Sequence, residues 1–316
     1  MVALTLFSAV SAIAGGVELI AAREGNTFLP PIAVLGHTPF RDFFLPGILL
    51  GGVVGGTSLV CAVLTWRRSP VAVDATLLSG GALTVWIAAE AAMLREWNLL
   101  HAVYAGVGIA LLGLGIGAAW RSGVARHRWV VSVTLAEGAG FLAPAGAGVL
   151  SATSGLGDEA QAALVVAAGL IEGFVLGAGQ AWALPIAVRR MRFALLTALG
   201  AGAVWASVMT VTRLGGSAAV PAMLVAVAGI AASGVGLVGI GGAQWIELRH
   251  HTRGASRWIA WTALAWIVAL PWSFAAAPFV DEATPIGANL ALWACGGLLM
   301  AYVMALVTWQ GVRRLG

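Results

Sequence analysis

Lysine is absent from this 316-residue chain, and all 17 of its basic side chains are arginines. Charge of either sign is scarce, since charged residues make up 9% of the chain and hydrophobic residues 60%. A soluble domain is about a quarter charged and about half apolar. Because moving an ion into hydrocarbon costs several kcal/mol, this composition is typical of a chain that lies in a membrane.

The chain has two cysteines, Cys61 and Cys295, and each lies inside a long apolar run. Two distant cysteines do not indicate a disulfide framework, a CxxC redox pair or a zinc site, and they fit small buried hydrophobic residues. The net charge of +4 would suggest nucleic acid in a soluble protein. Since the arginines flank apolar runs, we expect a lipid bilayer as partner and no nucleic acid.

The apolar runs have the length of membrane-spanning helices. A bilayer core about 30 Å thick requires about 20 apolar residues per helix. The chain holds ten predicted spans by that measure, at residues 3–22, 44–66, 73–94, 99–120, 129–150, 161–185, 193–213, 220–246, 258–278 and 287–310. Apolar residues run continuously instead of alternating with polar ones, which excludes membrane β-strands. The predicted fold class is therefore an all-α integral membrane protein with about ten transmembrane helices.

The arginines also predict the orientation of the chain. Each arginine group is separated from the next by two spans, so all groups lie on one face of the membrane. That face carries 13 arginines, in the groups 67–68, 121–128, 189–192, 249–257 and 313–314. The opposite face carries four arginines and most of the loop acids. By the positive-inside rule the arginine-rich face is cytoplasmic, which predicts a bacterial inner-membrane protein with both termini in the cytoplasm.

Residues 123–316 show a spacing that predicts an internal repeat. Trp129, Phe193 and Trp258 each follow an arginine and begin a span, at intervals of 64 and 65 residues. The returning spans end near glutamines, which are Gln180, Gln244 and Gln310. We expect three tandem helical hairpins of about 65 residues each. Many transporters contain such repeats, but a stable hairpin can also be duplicated without any transported substrate.

Residues 1–122 form a different, four-span block. Its predicted outer loop, 23–43, is long and rich in proline. Within that loop, Thr38 followed by Pro39 predicts a helix N-cap with proline in the first turn.

Two stretches of this block carry a resemblance to known proteins. The stretch from Phe28 to Gly47, together with the segment from Trp86 to Glu90, resembles small four-span membrane proteins of high-GC, actinobacterial-type bacteria to which no activity is assigned. The glycine–glutamine–tryptophan segments of the later hairpins similarly resemble multi-pass membrane proteins. The resemblance implies a membrane fold and no particular reaction or ligand.

Two acids are predicted to lie deep within the first hairpin. At 1.5 Å per residue, Glu137 lies roughly 12 Å into its span from the arginine-rich face, and Glu172 roughly 16 Å from the opposite end of the next. Gln180 should come near the level of Glu137. These spans contain no arginine or histidine. We therefore expect either a protonated interhelical hydrogen bond or a wet cavity suited to proton or cation coupling.

A second polar cluster is predicted near the outer surface of the N-terminal block. Its members are Glu18, Glu90, Arg41, Arg95 and His101. They could line an outward-facing pocket. Alternatively, Glu90 could pair with Arg41 or Arg95 and so fix the adjoining loop, because buried ion pairs often serve geometry more than chemistry.

No pattern in the chain indicates a cofactor or a metal. His250 and His251 are adjacent in sequence and not one helical turn apart, as a metal pair on a helix requires. The glycine pattern from Gly234 to Gly239 matches a dinucleotide-binding string, but it lies inside an apolar span with no preceding strand. The GxSxG motif of serine hydrolases is also missing. We expect neither a cofactor nor a metal.

Three functions remain compatible with this sequence. The first is a scaffold or accessory subunit that binds another membrane protein or a second copy of the chain. The second is a small-solute or proton-coupled transporter that uses Glu137, Glu172 and Gln180. The third is a lipid-modifying enzyme of the outer leaflet that uses Glu90 and His101.

Overall fold

The computed structural model of the protein describes residues 1–25, 31–38, 40–94, 97–217, 219–274 and 286–315. Side chains are described for all of these except residues 37, 92, 93, 152, 153 and 286–292. Regular secondary structure in these ranges is helical throughout, with no strand. The predicted all-α fold class is confirmed.

The described residues form ten long helices. They are α1 (Val2–Ala21), α2 (Phe44–Trp66), α3 (Ala72–Leu94), α4 (Leu99–Arg121), α5 (Ala125–Thr153), α6 (Asp158–Ala183), α7 (Arg190–Gly216), α8 (Ala222–Leu248), α9 (Ser256–Ser273) and α10 (Ile286–Val312). Within the described residues, nine of these helices are long and apolar enough to cross a bilayer. The remaining helix, α9, is 18 residues long. The chain is therefore a multi-pass membrane protein that lies in a lipid bilayer.

The start of α2 differs from the sequence prediction. Thr38 does not cap a long helix, because its hydroxyl donates back to the carbonyl of Leu35 (2.9 Å) at the end of a short 3₁₀ helix, Ile32–His37. The N-cap residue of α2 is Phe43, and the preceding Asp42 accepts the N–H of Phe44 at its Oδ1 (3.0 Å). The predicted N-cap at Thr38 was wrong, since Thr38 ends the 3₁₀ helix and α2 begins only at Phe44.

The described chain divides into two compact units, each with its own core. Unit 1 comprises residues 1–127 and 276–295, and unit 2 comprises residues 128–275 and 296–316. Glycines bring the helices of unit 1 together: a Cβ on Gly16 of α1 would lie 2.7 Å from the carbonyl oxygen of Gly47 in α2. Such close approach is the usual way in which membrane helices gain packing contacts without a hydrophobic driving force.

In unit 2 consecutive helices pack against one another, and the last helix contacts the first. The indole N–H of Trp129 on α5 reaches the carbonyl of Ala305 and the hydroxyl of Thr308 on α10, both at 3.2 Å. Trp129 also meets Trp258 edge to face, with 5.9 Å between ring centroids. Both rings and Phe193 are fully buried. The three aromatic residues that mark the predicted hairpins thus share one core.

Candidate functional site

Glu137 is the most exceptional side chain of unit 2. It lies in the interior of α5, and its side chain is completely buried, with 0% exposure. Neither carboxyl oxygen has a hydrogen-bond partner among the described residues. Buried polar groups in proteins are nearly always hydrogen-bonded, so an acid with two unpaired oxygens in mid-span is a candidate binding group.

Glu172 on α6 is the second acid of the site, and it has one partner. Its side chain is 7% exposed, and its Oε2 accepts the indole N–H of Trp205 on α7 at 2.8 Å. Gly169, one turn earlier on α6, gives the room for this ring, because a Cβ there would overlap Trp205. The indole holds the carboxyl in place and leaves the other oxygen, Oε1, without a bond to Trp205.

The packing of α5 on α6 brings the two acids together. Gly140 of α5 lies against the backbone of Glu172, and a Cβ on it would be 3.0 Å from the Glu172 carbonyl oxygen. Glu137 precedes Gly140 by three residues and so lies on the same side of α5. The two carboxyl groups interact electrostatically. Further along the same helix contact, the hydroxyl of Ser132 donates to the carbonyl of Gly179 at 2.8 Å.

Pro144 adds a backbone oxygen to this region. It lies inside α5 and has no N–H, so the carbonyl of Gly140, four residues earlier, has no helical donor. Gly140 is also the residue of α5 that lies against the backbone of Glu172. Among the described residues, no arginine or histidine forms an ion pair with Glu137 or Glu172. A pair of buried acids of this kind requires positive charge, either as a proton or as a bound cation.

Gln180, the third predicted member, belongs to a different network. Its Oε1 accepts from the Gln244 side-chain amide at 2.6 Å. The same amide donates to the hydroxyl of Thr197 at 3.1 Å, and the Gln244 carbonyl oxygen accepts the indole N–H of Trp258 at 2.6 Å. All of these polar groups are buried. The structure therefore joins Gln180 to α8 and α9, and its described hydrogen bond does not lead to either acid.

The outer cluster predicted for the N-terminal block is only partly assembled. Glu90 and His101 line one pocket of unit 1. Glu18 and Arg41 are exposed, and neither lines that pocket. Arg95 lies outside the described residues. Because Nδ1 of His101 accepts the backbone N–H of Asn98 and its Nε2 has no partner, the described bonds do not link His101 to Glu90 as an acid–base dyad would require.

A buried carboxylate at the arginine-rich end of unit 2 was missed from sequence. Glu247 at the end of α8 is fully buried, and its Oε1 accepts the backbone N–H of Arg189 at 2.9 Å. His251 lies 2.8 Å from Oε1, and the guanidinium of Arg192 lies 3.4 Å from Oε2. The i,i+4 spacing of Glu247 and His251 was a usable signal. The contacts tie the α6–α7 connection to α8 and fit a structural role.

Trp205 was also missed, and no sequence signal singled it out. It lies 33 residues from Glu172, on the next helix, and it is one of 14 tryptophans. Only the packing of α6 on α7 shows which acid its N–H meets. Comparison with known proteins finds no matching family model, curated protein or solved structure. The candidate sites therefore stand on the chemistry of their own residues.

Proposed function

We propose that this protein is a proton-coupled membrane transporter in which Glu137 and Glu172 carry the coupling proton. The observation that supports this most strongly is the Glu137 carboxyl group, which is buried in mid-span with both oxygens unpaired. An unpaired acid buried in mid-span costs free energy, and acids kept at that cost usually mark a functional site. Proton relays in membrane transporters are built from such acids.

The composition of the site favours a proton over a transition metal. Among the described residues, no three His, Cys, Asp or Glu side chains lie close enough together to hold a metal ion. The two carboxyl groups offer only oxygen donors, which suit a proton or a hard cation better than a transition metal. Because Trp205 already occupies one oxygen of Glu172, few oxygens remain to surround a metal ion. We assign the proton as the coupling ion.

We also infer that α5–α10 are three copies of one hairpin arranged in a closed ring. Related contacts recur at fixed sequence intervals: Gly138 faces Leu298 on α10 as Gly202 faces Leu170 on α6. Gly202 follows Gly138 by 64 residues, which is the interval between the predicted hairpins. Repeats of this kind place binding sites at their interfaces.

The acid pair breaks this symmetry. The positions equivalent to Glu137 are Ala201 and Trp266, and neither is acidic. One ring would therefore hold one proton site, in the first hairpin, at the interface of α5 and α6. The arrangement favours a transporter over a symmetric scaffold, since a scaffold has no need for an acid in only one of its three copies.

The proposal is tested by replacing Glu137 with glutamine, which keeps the size of the side chain but cannot exchange a proton. Proteoliposomes are adsorbed on a solid-supported membrane, and the charge displaced by a pH jump is recorded. We expect the wild-type protein to give a transient current, and the Glu137→Gln and Glu172→Gln variants to fall to the level of protein-free liposomes. Candidate solutes are then applied class by class, under a proton gradient and without one.

Glu159→Gln is the matched control, because the Glu159 side chain is 95% exposed and its ion-pair partner among the described residues is Arg213. It should leave the transient unchanged. A current retained by both core variants would contradict the proposal, as would a wild-type protein that displaces no charge and behaves as a scaffold. A current in response to a sodium jump at constant pH, without a current in response to a pH jump, would show that the coupling ion is sodium and not the proton.

A further inference from the structure

Unit 1 contains a pocket of 220 Å³ that the transport site does not use. It lies among α1, α2, α3 and α4. Small residues on α1, Ala12 and Gly15, leave the space on one side. Asn98 and Leu100 line its exposed rim at the start of α4. The volume suits a small molecule or the headgroup of a lipid, below the range of drug-sized ligand pockets.

Two polar groups of the pocket lining are buried without partners. His101 is 4% exposed, and its Nδ1 accepts the backbone N–H of Asn98 at 3.2 Å. The neutral ring must therefore carry its proton on Nε2, which has no hydrogen-bond partner in the described structure. The hydroxyl of Ser8 on α1 is buried and unpaired as well. Buried polar groups left without partners call for an explanation, and a bound ligand would supply one.

Glu90 is the single acid among the described residues that line the pocket, and no arginine is found there. The imidazole of His101 in the same lining interacts electrostatically with Glu90. The side chain of Trp86, one helical turn before Glu90 on α3, lines the same pocket. Trp86 and Tyr104 also give the pocket two aromatic side chains. A carboxylate beside aromatic rings is the usual setting in which proteins bind organic ammonium groups.

The helix opposite α1 has an unusual backbone at this pocket. Leu50, which lines the pocket, belongs to a π-helical segment, Leu49–Gly55, inside α2. Single π turns within α-helices occur frequently at functional sites, because the wider turn displaces side chains from their helical positions. This feature is independent of the unpaired polar groups and coincides with them in space.

We propose that this pocket binds a small organic ammonium compound that also carries an oxygen acceptor, of the amino-alcohol type. The ammonium group lies at Glu90 and the aromatic side chains, and the oxygen accepts from Nε2 of His101. The ligand is either a free solute or the amino-alcohol headgroup of a phospholipid, since both present the same chemistry. This site is separate from the proton site, and neither proposal depends on the other.

The test is calorimetric titration of the purified protein in detergent with choline and ethanolamine, and with glycerol as an uncharged hydroxyl compound. We expect saturable binding of the amines and none of glycerol. Because a bond to a charged partner is lost, Glu90→Gln should weaken amine binding by at least about tenfold. Glu18→Gln changes an exposed acid of α1 outside the pocket and should leave the affinity unchanged.

Tyr104 offers a second test that keeps all charges, in case Glu90→Gln does not fold. Tyr104→Phe keeps the ring and should retain binding, whereas Tyr104→Leu should lose it. Native mass spectrometry from nanodiscs then compares phosphatidylethanolamine with phosphatidylglycerol, and retention of the former without binding of free amines identifies the lipid as the source. Equal binding of glycerol, unchanged affinity in both Glu90→Gln and Tyr104→Leu, or no binding of amines in either form would overturn the proposal.

Discussion

Gly177→Leu is expected to destabilise unit 2 by about 3 kcal/mol or more, because the new side chain would be forced into a packed helix interface. A Cβ at this position would lie 2.6 Å from both Cβ and Oγ1 of Thr197, and 2.8 Å from Cα of Ala194. Since one of these contacts is with backbone, a change of rotamer cannot relieve the clash. The helices α6 and α7 would have to separate. The hydrogen bond between Trp205 on α7 and Glu172 on α6 would then be lost.

This effect is measured by thermal unfolding in detergent, followed by tryptophan fluorescence, and by the fraction of protein that elutes as a single species in size-exclusion chromatography. Gly234→Leu is the matched control. Gly234 lies on an exposed side of α8, and a Cβ there would meet nothing within 4 Å. If Gly177→Leu unfolded at the same temperature as this control, the close contact of α6 with α7 would not exist in the folded protein.

The second large effect is expected for Gln244→Leu, which should lower the free energy of unfolding by about 2–4 kcal/mol. Leucine nearly keeps the volume but removes every hydrogen bond of the amide. The indole N–H of Trp258 and Oε1 of Gln180 would then be buried without a described partner. Each unpaired group contributes the desolvation cost that its hydrogen bond had offset.

Gln310→Leu provides the comparison in the same chain. Gln310 is a partly exposed glutamine near the end of α10, in the third predicted hairpin. We expect its replacement to change stability by no more than about 0.5 kcal/mol, as for most substitutions near the surface. Equal melting temperatures for Gln244→Leu and Gln310→Leu would show that the buried amide network does not stabilise unit 2.

Gln244 and Gln310 also show where residue spacing alone is misleading. The glutamines at 180, 244 and 310 were grouped by approximate interval. The side chain that accepts the indole N–H of Trp129, however, is that of Thr308. Thr308 follows Gln244 by 64 residues, the same interval that separates Gln244 from Gln180. Identical residue type drew attention to Gln310, whereas hydrogen bonding depends on position along the helix and only then on side-chain chemistry.

The candidate sites could be predicted in part. Glu137 and Glu172 were identified because an acid inside an apolar span is conspicuous in any sequence of this composition. Their proximity could not be predicted, since it depends on which sides of α5 and α6 face each other. Gly140 decides that contact, and it is one of 43 glycines in the chain. The same ambiguity explains why Gln180 was placed with the acids and is bonded instead to Gln244.

The sequence by itself determined the class of the protein and nearly all positions of its described long helices. These properties follow from local quantities, since each span must be long and apolar enough to cross hydrocarbon whatever its neighbours are. The tertiary structure alone decided which polar groups meet. A helix that is apolar on every side has no preferred face in its sequence pattern, so its rotation is set by the close packing of small residues. In unit 2, helix rotation leaves the Glu137 carboxyl group unpaired and lets Trp205 donate to Glu172. In unit 1, it places Glu90 and His101 in the lining of one pocket, whereas Glu18 and Arg41 lie outside it.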